Sequence, residues 1–463
     1  MANRLSKGMM IVLLTNIINI AFSLITNFAL PKLLSVETYA AIRTYQLYVS
    51  YIGILHLGYV DGVYLQYGGK NIDTLSRDDL GTQRKSFLLF QLVIAIVLGI
   101  PGCILRDTAL IALCLTIVPF NVAQYYKFVY QATGEFSLYG QAINLTTVFI
   151  FVVNMLLLFV LHYQAEFGYL IGYVVSYYVI WGIMEVQFTR RVGRLPHTGI
   201  SLKDLAVNIK NGWLLMLGNF TSVILTSIDR WFVKFLLETL AFAQYSFAVS
   251  MEGMLNVIVT PVSTTLYNYF CVEKDSNGIH RILNYVSLFA VAVVASAFPA
   301  KFIVERFLSN YLGSIDIMFF LFAGQLFFII IKCVYVNLYK ARQLQRLYFT
   351  KLVATIGIGI VLNIAFFLLW HYKESFALGT LVSAVIWFLL CQGDFPDQRL
   401  SIQQYVYLFL ELILFLICGR ECSAIWGFCY YVAGSLILTT LLMKKTFIEF
   451  LQLLWKFLIR KKV

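Results

Sequence analysis

Long apolar runs alternate with short polar breaks along the whole chain, and most runs approach the ~20 residues that a bilayer core demands of a helix. Fourteen segments are read at residues 9–30, 40–65, 87–105, 109–129, 139–161, 168–188, 211–236, 241–270, 283–303, 314–338, 350–370, 375–391, 403–419 and 424–442. The last four are short or weakly bounded, so the pattern also accommodates twelve or thirteen. No amphipathic stretch has the length of a soluble domain. The predicted fold class is all-α and polytopic, with about 14 spans.

The first run follows Arg4 and Lys7 in the manner of a signal peptide, yet it reaches Leu30 without a small-residue cleavage site. A retained first helix is therefore expected. At the other end, residues 447–459 are apolar and aromatic but short, and they lead into Arg460-Lys461-Lys462. That stretch is expected to lie on the cytoplasmic leaflet as a basic amphipathic tail, residues 443–463.

Charge then orients the pattern. With the N-terminus placed in the cytoplasm, 24 of the 35 Lys and Arg fall in cytoplasmic segments, only Lys32, Arg106, Arg306, Lys373 and Arg420 fall on the opposite side, and the remaining six lie within the spans or at their ends. This is the asymmetry of the positive-inside rule, and it predicts an even number of spans with both termini cytoplasmic. The longest polar connection, 189–210, separates six segments from eight. It predicts an N-terminal six-helix bundle (1–188), a basic linker (189–210), a C-terminal six-helix bundle (211–391) and two additional helices (392–442).

An internal repeat supports that division. At a constant offset of 209, residues 130–154 match 339–363 at Tyr130/Tyr339, Ala132/Ala341, Leu138/Leu347, Tyr139/Tyr348, Thr146/Thr355, Val152/Val361 and Asn154/Asn363. A weaker echo pairs Glu37-Thr38 with Glu238-Thr239. A six-helix repeat enters the membrane twice in the same direction, as in transporters whose substrate path lies between parallel halves.

Composition agrees. The chain is 60% hydrophobic and 13% charged, with a mean hydropathy of +0.81, against about a quarter charged in soluble domains. The net charge of +12 belongs to the membrane-flanking loops, so nucleic acid is not implied as a partner. The eight cysteines form no CxxC pair and read as small apolar side chains. The five histidines are isolated, no metal spacing or P-loop occurs, and the short outer loops leave no room for a large external catalytic domain. No cofactor and no enzymatic activity are expected.

Function is sought among charges inside apolar runs, each costing about 2.5–3.5 kcal/mol on insertion scales. The candidates are Arg43 and Asp61 in the second segment, Lys127 in the fourth, Asp229, Arg230 and Lys234 in the seventh, Glu252 in the eighth and Lys332 in the tenth. Arg230 and Lys234 share a helix face, and Asp229 points about 100° away. Lys127 and Lys234 lie near segment ends, where snorkelling to the interface is an equal alternative. The set leans cationic, which suits a pyrophosphate-bearing substrate better than a bulky cation. The tyrosines in or beside the second segment (Tyr45, Tyr48, Tyr51, Tyr59, Tyr64, Tyr67) read mostly as interfacial residues.

Two motifs carry a resemblance. Gly58-Tyr-Val-Asp-Gly-Val-Tyr-Leu-Gln-Tyr-Gly-Gly-Lys70 closes the second segment, and Asp229-Arg-Trp-Phe-Val233 is followed by Ala243-Gln-Tyr-Ser-Phe-Ala248. With the length, topology and repeat, they make the whole chain resemble the polysaccharide-specific transporters (O-antigen flippases) of the multidrug/oligosaccharidyl-lipid/polysaccharide exporter superfamily. The resemblance implies two six-helix bundles around a central cavity, plus two C-terminal helices. It implies flipping of an undecaprenyl-pyrophosphate-linked glycan across the bacterial inner membrane by alternating access. Membrane lipids, a polysaccharide polymerase and a chain-length regulator would be its partners. Arg43, Lys127, Arg230, Lys234 and Lys332 would then receive the pyrophosphate or acidic sugars. Asp61, Asp229 and Glu252 would balance charge or couple an ion. A drug/cation antiporter of the same superfamily, a lipid II flippase and a membrane glycosyltransferase or polymerase stay open at this point.

Overall fold

The computed structural model describes residues 21–196, 199–272, 275–450 and 452. The start of the first apolar run, Arg4, Lys7, Lys274 and residues 451 and 453–463 of the basic tail lie outside the described residues. Every regular element among the described residues is helical.

Polar residues set the helix starts. Ser35, Ser76, Asp107, Ser201, Asp275 and Ser401 each turn a side-chain oxygen onto a backbone N–H of the following first turn. Those donors would otherwise be orphaned in an apolar surrounding. At Ser401 the Gln404 side chain also accepts from the cap's own N–H, which completes a capping box.

The chain forms two compact units, residues 1–227 and 228–463. In the first, α1 (residues 21–33), α2 (Val36–Ser50) and α3 (Tyr59–Tyr67) precede four long helices. These are α4 (Arg77–Leu105), α5 (Thr108–Ala132), α6 (Phe136–Met155) and α7 (Glu166–Val192), and α8 (Leu202–Leu225) completes the unit. The polar stretch 189–210 is helical at both ends, and only residues 193–201 connect α7 to α8.

The second unit begins with α9 (Ile228–Leu236), α10 (Thr239–Gly253), α11 (Asn256–Val272), α12 (Ser276–Val294) and α13 (Ala297–Phe307). Next come α14 (Ile315–Ile330) and α15 (Val336–Ala341), joined by the π-helical turn Ile331–Tyr335. The last four are α16 (Gln345–Trp370), α17 (Glu374–Asp394), α18 (Ile402–Glu421) and α19 (Ala424–Leu442).

Ten helical stretches among the described residues are long and apolar enough to cross a membrane. They coincide with ten of the fourteen segments read from sequence. Three more, 40–65, 211–236 and 241–270, are each broken into two shorter helices, and the first run is described only from residue 21. The run Ser309–Ala341 is almost wholly buried, at the centre of its unit, where it packs against α10, α12, α17 and α18. By contrast α4 exposes Val93, Ile96, Val97, Ile100 and Ile104 along one face. A contiguous apolar face of that length belongs against lipid rather than water. The protein is an all-α, multi-span membrane protein.

The offset of 209 is visible in the backbone. Helix α5 ends at Ala132 and α15 at Ala341, and the turns beyond them pass through left-handed Gly134 (φ 75°) and Gln343 (φ 57°). The N–H of Glu135 bonds the Tyr130 carbonyl at 2.8 Å, as that of Leu344 bonds Tyr339 at 2.7 Å. Asn154 and Asn363 are both buried. The weaker echo at Glu37 and Glu238 is out of register, since Glu37 lies inside the first turn of α2 whereas Glu238 caps α10.

Three of the six tyrosines depart from the interfacial reading. Tyr45 and Tyr59 are fully buried, and their hydroxyls pair with Thr116 Oγ1 (2.7 Å) and the Gln83 carbonyl (3.0 Å). Tyr67 donates to Gln83 Oε1 at 3.0 Å. A tyrosine whose hydroxyl finds an internal acceptor packs as a core residue, whatever its abundance near interfaces.

Ion pairs tie the loop ends within each unit. Arg191 bridges Asp73 (2.5 Å) and Glu135 (2.6 Å), while Arg342 holds Asp397 at 2.6 Å and Lys351 holds Asp394 at 2.9 Å. Hydrogen bonds from Arg342 hold the Asp397 carboxyl below its ordinary range. The folded value is depressed, so the stabilisation is present above the unfolded value near ~4 and is lost as pH falls through the folded one. Asp397→Asn is accordingly expected to match the parent in acid and to fall behind it above about pH 4. The gap should be under about 1 kcal/mol because the pair is partly exposed. Unfolding midpoints of the purified protein across pH would measure it.

Candidate functional site

In the first unit the second membrane segment is broken. Helix α2 stops at Ser50, a 3₁₀ turn runs from Ile52 to His56, and Leu57 (φ 49°) and Gly58 (φ 86°) are left-handed before α3 begins. The glycines of the Gly58–Gly62 pair explain the next contact. A Cβ on Gly58 would stand 2.5 Å from the Trp213 nitrogen, and one on Gly62 or Gly212 would run into the backbone of the facing helix. Helices α3 and α8 therefore meet backbone to backbone, as small-residue spacing allows in membranes.

That contact seats Asp61. It lies in the first turn of α3, is 1% exposed, accepts a hydrogen bond from Asn219 Nδ2 (3.4 Å), and has Oδ2 3.8 Å from His56 Nδ1. Arg43 sits apart on α2. Its guanidinium donates to Asn27 Oδ1 (2.9 Å) and Gln46 Oε1 (2.8 Å) and lies over the Tyr39 ring. Lys127, on α5, reaches Thr146 Oγ1 at 3.5 Å.

The second unit gathers more of the predicted charges. Asp229, 5% exposed in the first turn of α9, accepts from the Arg230 N–H (2.7 Å), the Tyr245 hydroxyl (2.7 Å) and Thr380 Oγ1 (3.4 Å). Glu252 on α10 accepts from Gln325 Nε2 of α14. The Arg230 guanidinium acts electrostatically on both carboxylates. Asp229, Arg230 and Glu252 thus form one polar cluster in the interior of the unit. Lys234 stands over the Phe242 ring, 5.5 Å from its centroid.

Lys332 lies apart, on the π-helical turn between α14 and α15. The turn's irregularity is satisfied from α11: Ser263 donates to the Lys332 carbonyl at 3.0 Å, and Nζ donates to Asn256 Oδ1 (2.8 Å) and Thr260 Oγ1 (3.2 Å). Interruptions of this kind are tolerated at membrane depth only where neighbours supply the missing partners.

Several polar residues escaped the sequence reading. His56, Asn219, Tyr245, Gln325 and Thr380 complete the two clusters, and Glu185 pairs with Arg84 and accepts from the Tyr126 hydroxyl. Buried Lys301 donates to the Gly419 (2.7 Å) and Cys422 (2.6 Å) carbonyls, which neutralises the C-terminal end of α18. Buried Glu411 accepts from Ser435 at 3.0 Å. Glu185, Lys301 and Glu411 were legible as charges inside apolar runs; the neutral partners carry no such signal. Among the described residues, no three of His, Cys, Asp and Glu converge as metal ligands.

No protein family and no curated protein matches the sequence. Solved structures do match the fold. Lipid II flippase MurJ, in an inward closed conformation, aligns over 94% of this chain and 99% of its own, with a TM-score of 0.62 at 13% identity. An inward-facing multidrug resistance MATE family transporter of the MOP superfamily aligns over 83% of this chain and 95% of its own, at 15% identity and a TM-score of 0.49. Over nearly its whole length, the chain therefore shares the fold of that lipid II flippase structure.

Proposed function

We propose that this protein is a flippase that carries an undecaprenyl-pyrophosphate-linked oligosaccharide repeat unit across the bacterial inner membrane, for surface polysaccharide synthesis. Transport is by alternating access and not by enzymatic turnover, with both termini in the cytoplasm. The observation that carries this reading is the full-length likeness in fold to a lipid II flippase. Cationic side chains inside the spans lend support, because guanidinium and ammonium groups suit a pyrophosphate. In this reading Arg43, Lys127, Arg230, Lys234 and Lys332 attend the anionic head of the substrate. Asp61, Asp229 and Glu252 balance charge or couple an ion. The glycan-specific role, rather than lipid II, rests on the two sequence motifs around Asp61 and Asp229.

A multidrug or cation antiporter is the second reading, favoured by the two carboxylates, Asp229 and Glu252, in the interior of the second unit. Arg230→Gln separates them. In a flippase-null strain expressing the variant at normal level, surface glycan is expected to fall about tenfold or more, in line with the loss of a charge-assisted contact. Full complementation would remove Arg230 from the substrate path. Export of a fluorescent cation by the purified parent would favour the antiporter.

A further inference from the structure

We propose that His56 and Asp61 form a binding site for one proton, and that this proton works the hinge in the second membrane segment. The inference deepens the ion-coupling role given to Asp61 above and names the proton acceptor beside it.

The geometry gives His56 Nδ1 two partners that exclude each other. As seen, the Gly58 N–H donates to Nδ1 at 3.0 Å. A ring nitrogen that accepts a hydrogen bond carries no proton, so the imidazole is neutral with its hydrogen on Nε2. Asp61 Oδ2 waits 3.8 Å from the same Nδ1, beyond hydrogen-bond range but within ion-pair reach. A proton arriving from water forms the Nδ1–H bond and makes His56 cationic. Two donors then face each other, so the Gly58 N–H must leave, and the ring turns to donate to the Asp61 carboxylate. Loss of that proton to water restores the first arrangement.

The bond at stake belongs to the hinge itself. Leu57 and Gly58 are the left-handed pair that joins the 3₁₀ turn to α3, and Leu57 is a non-glycine residue in that region. The Gly58 N–H bond to His56 helps to hold the chain there, so releasing it frees the angle at which α3 leaves the break. Both side chains are buried, so little water screens the pair.

Other charges on the packed elements are engaged or exposed. Arg43 of α2 is held by Asn27 and Gln46, Arg84 of α4 by Glu185, Asp107 at the start of α5 accepts from Tyr48, and Lys127 of α5 lies beside Thr146. Glu37 of α2, Arg77, Asp78, Asp79 and Lys85 of α4, and Lys203, Asp204 and Lys210 of α8 are exposed. The remaining polar neighbours are neutral: Tyr51 bonds Ser227, Gln91 donates to the Leu55 carbonyl, and Asn219 donates to Asp61. Among the described residues, His56 and Asp61 have no charged partner within 4.0 Å except each other.

The test uses the purified full-length protein in detergent, labelled with ¹⁵N-histidine and titrated without substrate. The His56 signals, identified by their loss in His56→Gln, are expected to show the Nε2–H tautomer in base and a second proton on Nδ1 in acid. Asp61→Asn is expected to lower that midpoint by about one pH unit, since it removes the anion that stabilises the cation. Spin labels at positions 50 and 66 in a cysteine-free background should report a pH-dependent distance. That change should be lost in His56→Gln and Asp61→Asn and kept in His162→Gln. The tautomer and the distance change can both be read in the parent if a variant fails to fold. A His56 ring that stays neutral wherever the protein is folded would overturn the proposal, as would a distance change that survives His56→Gln. Normal titration in a protein that restores no surface glycan would instead spare the proton site and remove the flippase reading.

Discussion

Gly62→Ala, a change of one methyl group, is expected to destabilise the first unit by about 3 kcal/mol or more, at the upper end of what overpacking costs. The added Cβ would meet the Asn208 carbonyl group, with its carbon 2.7 Å and the Asn208 Cα 2.9 Å away. These are backbone atoms of α8, so no rotamer change relieves the clash, and the two helices must separate. Gly212→Ala presses on the Gly58 carbonyl and the Gly62 nitrogen from the opposite side and should behave alike. The control runs the other way. Gly182, in α7, has nothing within 4 Å of an added Cβ, so Gly182→Ala should be neutral or stabilising by up to about 1 kcal/mol through helix propensity. Thermal unfolding of the purified variants would show it, with a midpoint lowered by about 6 °C or more for Gly62→Ala. Equal midpoints for Gly62→Ala and Gly182→Ala would contradict the close approach of α3 and α8.

Asp229→Asn should be the most damaging change in the second unit. The carboxylate uses one oxygen for the Arg230 N–H and the other for Tyr245 and Thr380. An amide has a single acceptor oxygen, so either orientation sets an N–H₂ group against a donor. The expected cost is about 1–3 kcal/mol of stability for the partner left unsatisfied. The substitution also removes the negative charge beside Arg230, and transport is expected to fall about tenfold or more under the proposed role. Tyr245→Phe separates the two effects. It deletes one donor and leaves the charge, so it should cost about 1 kcal/mol and preserve most transport. Unfolding midpoints and surface-glycan complementation at matched membrane levels provide the readouts. Full complementation by Asp229→Asn would take Asp229 out of the coupling set.

Much of the fold was legible because a bilayer imposes a length and a polarity on each span. Ten spans and the alternation between them follow from that constraint alone. The repeat was legible at Tyr130/Tyr339 and Asn154/Asn363 because these side chains are buried polar or aromatic groups in corresponding places. The breaks in the second, seventh and eighth segments were not legible. Hydropathy averages across Leu57 and Gly58 without registering that both are left-handed. For the same reason the segment read at 87–105 misses the first turns of α4, which starts at Arg77 ahead of the apolar run.

The candidate site divides in the same way. Asp61, Asp229, Arg230 and Glu252 announced themselves as charges among apolar neighbours, since burying an ion is costly enough to be conspicuous in any window. Which of them meet was invisible. Tyr245, Gln325 and Thr380 are common neutral residues, and only packing turns them toward the carboxylates. His56 is a lone histidine in sequence, five residues before Asp61, and becomes notable only because the break folds its ring back onto the Gly58 N–H.

The sequence by itself determined that this chain spans a membrane many times, and that residues 130–154 recur in part at 339–363. It also determined that the interior carries more charge than lipid tolerates without a reason. Those properties depend on composition and periodicity, which act locally along the chain. Tertiary structure alone decided that Gly62 and Gly212 bring two backbones together, that Tyr245 and Thr380 meet the Asp229 carboxylate, and that Lys301 caps a helix. Each of these depends on the distance between atoms far apart in sequence, and a distance of that kind is set by packing.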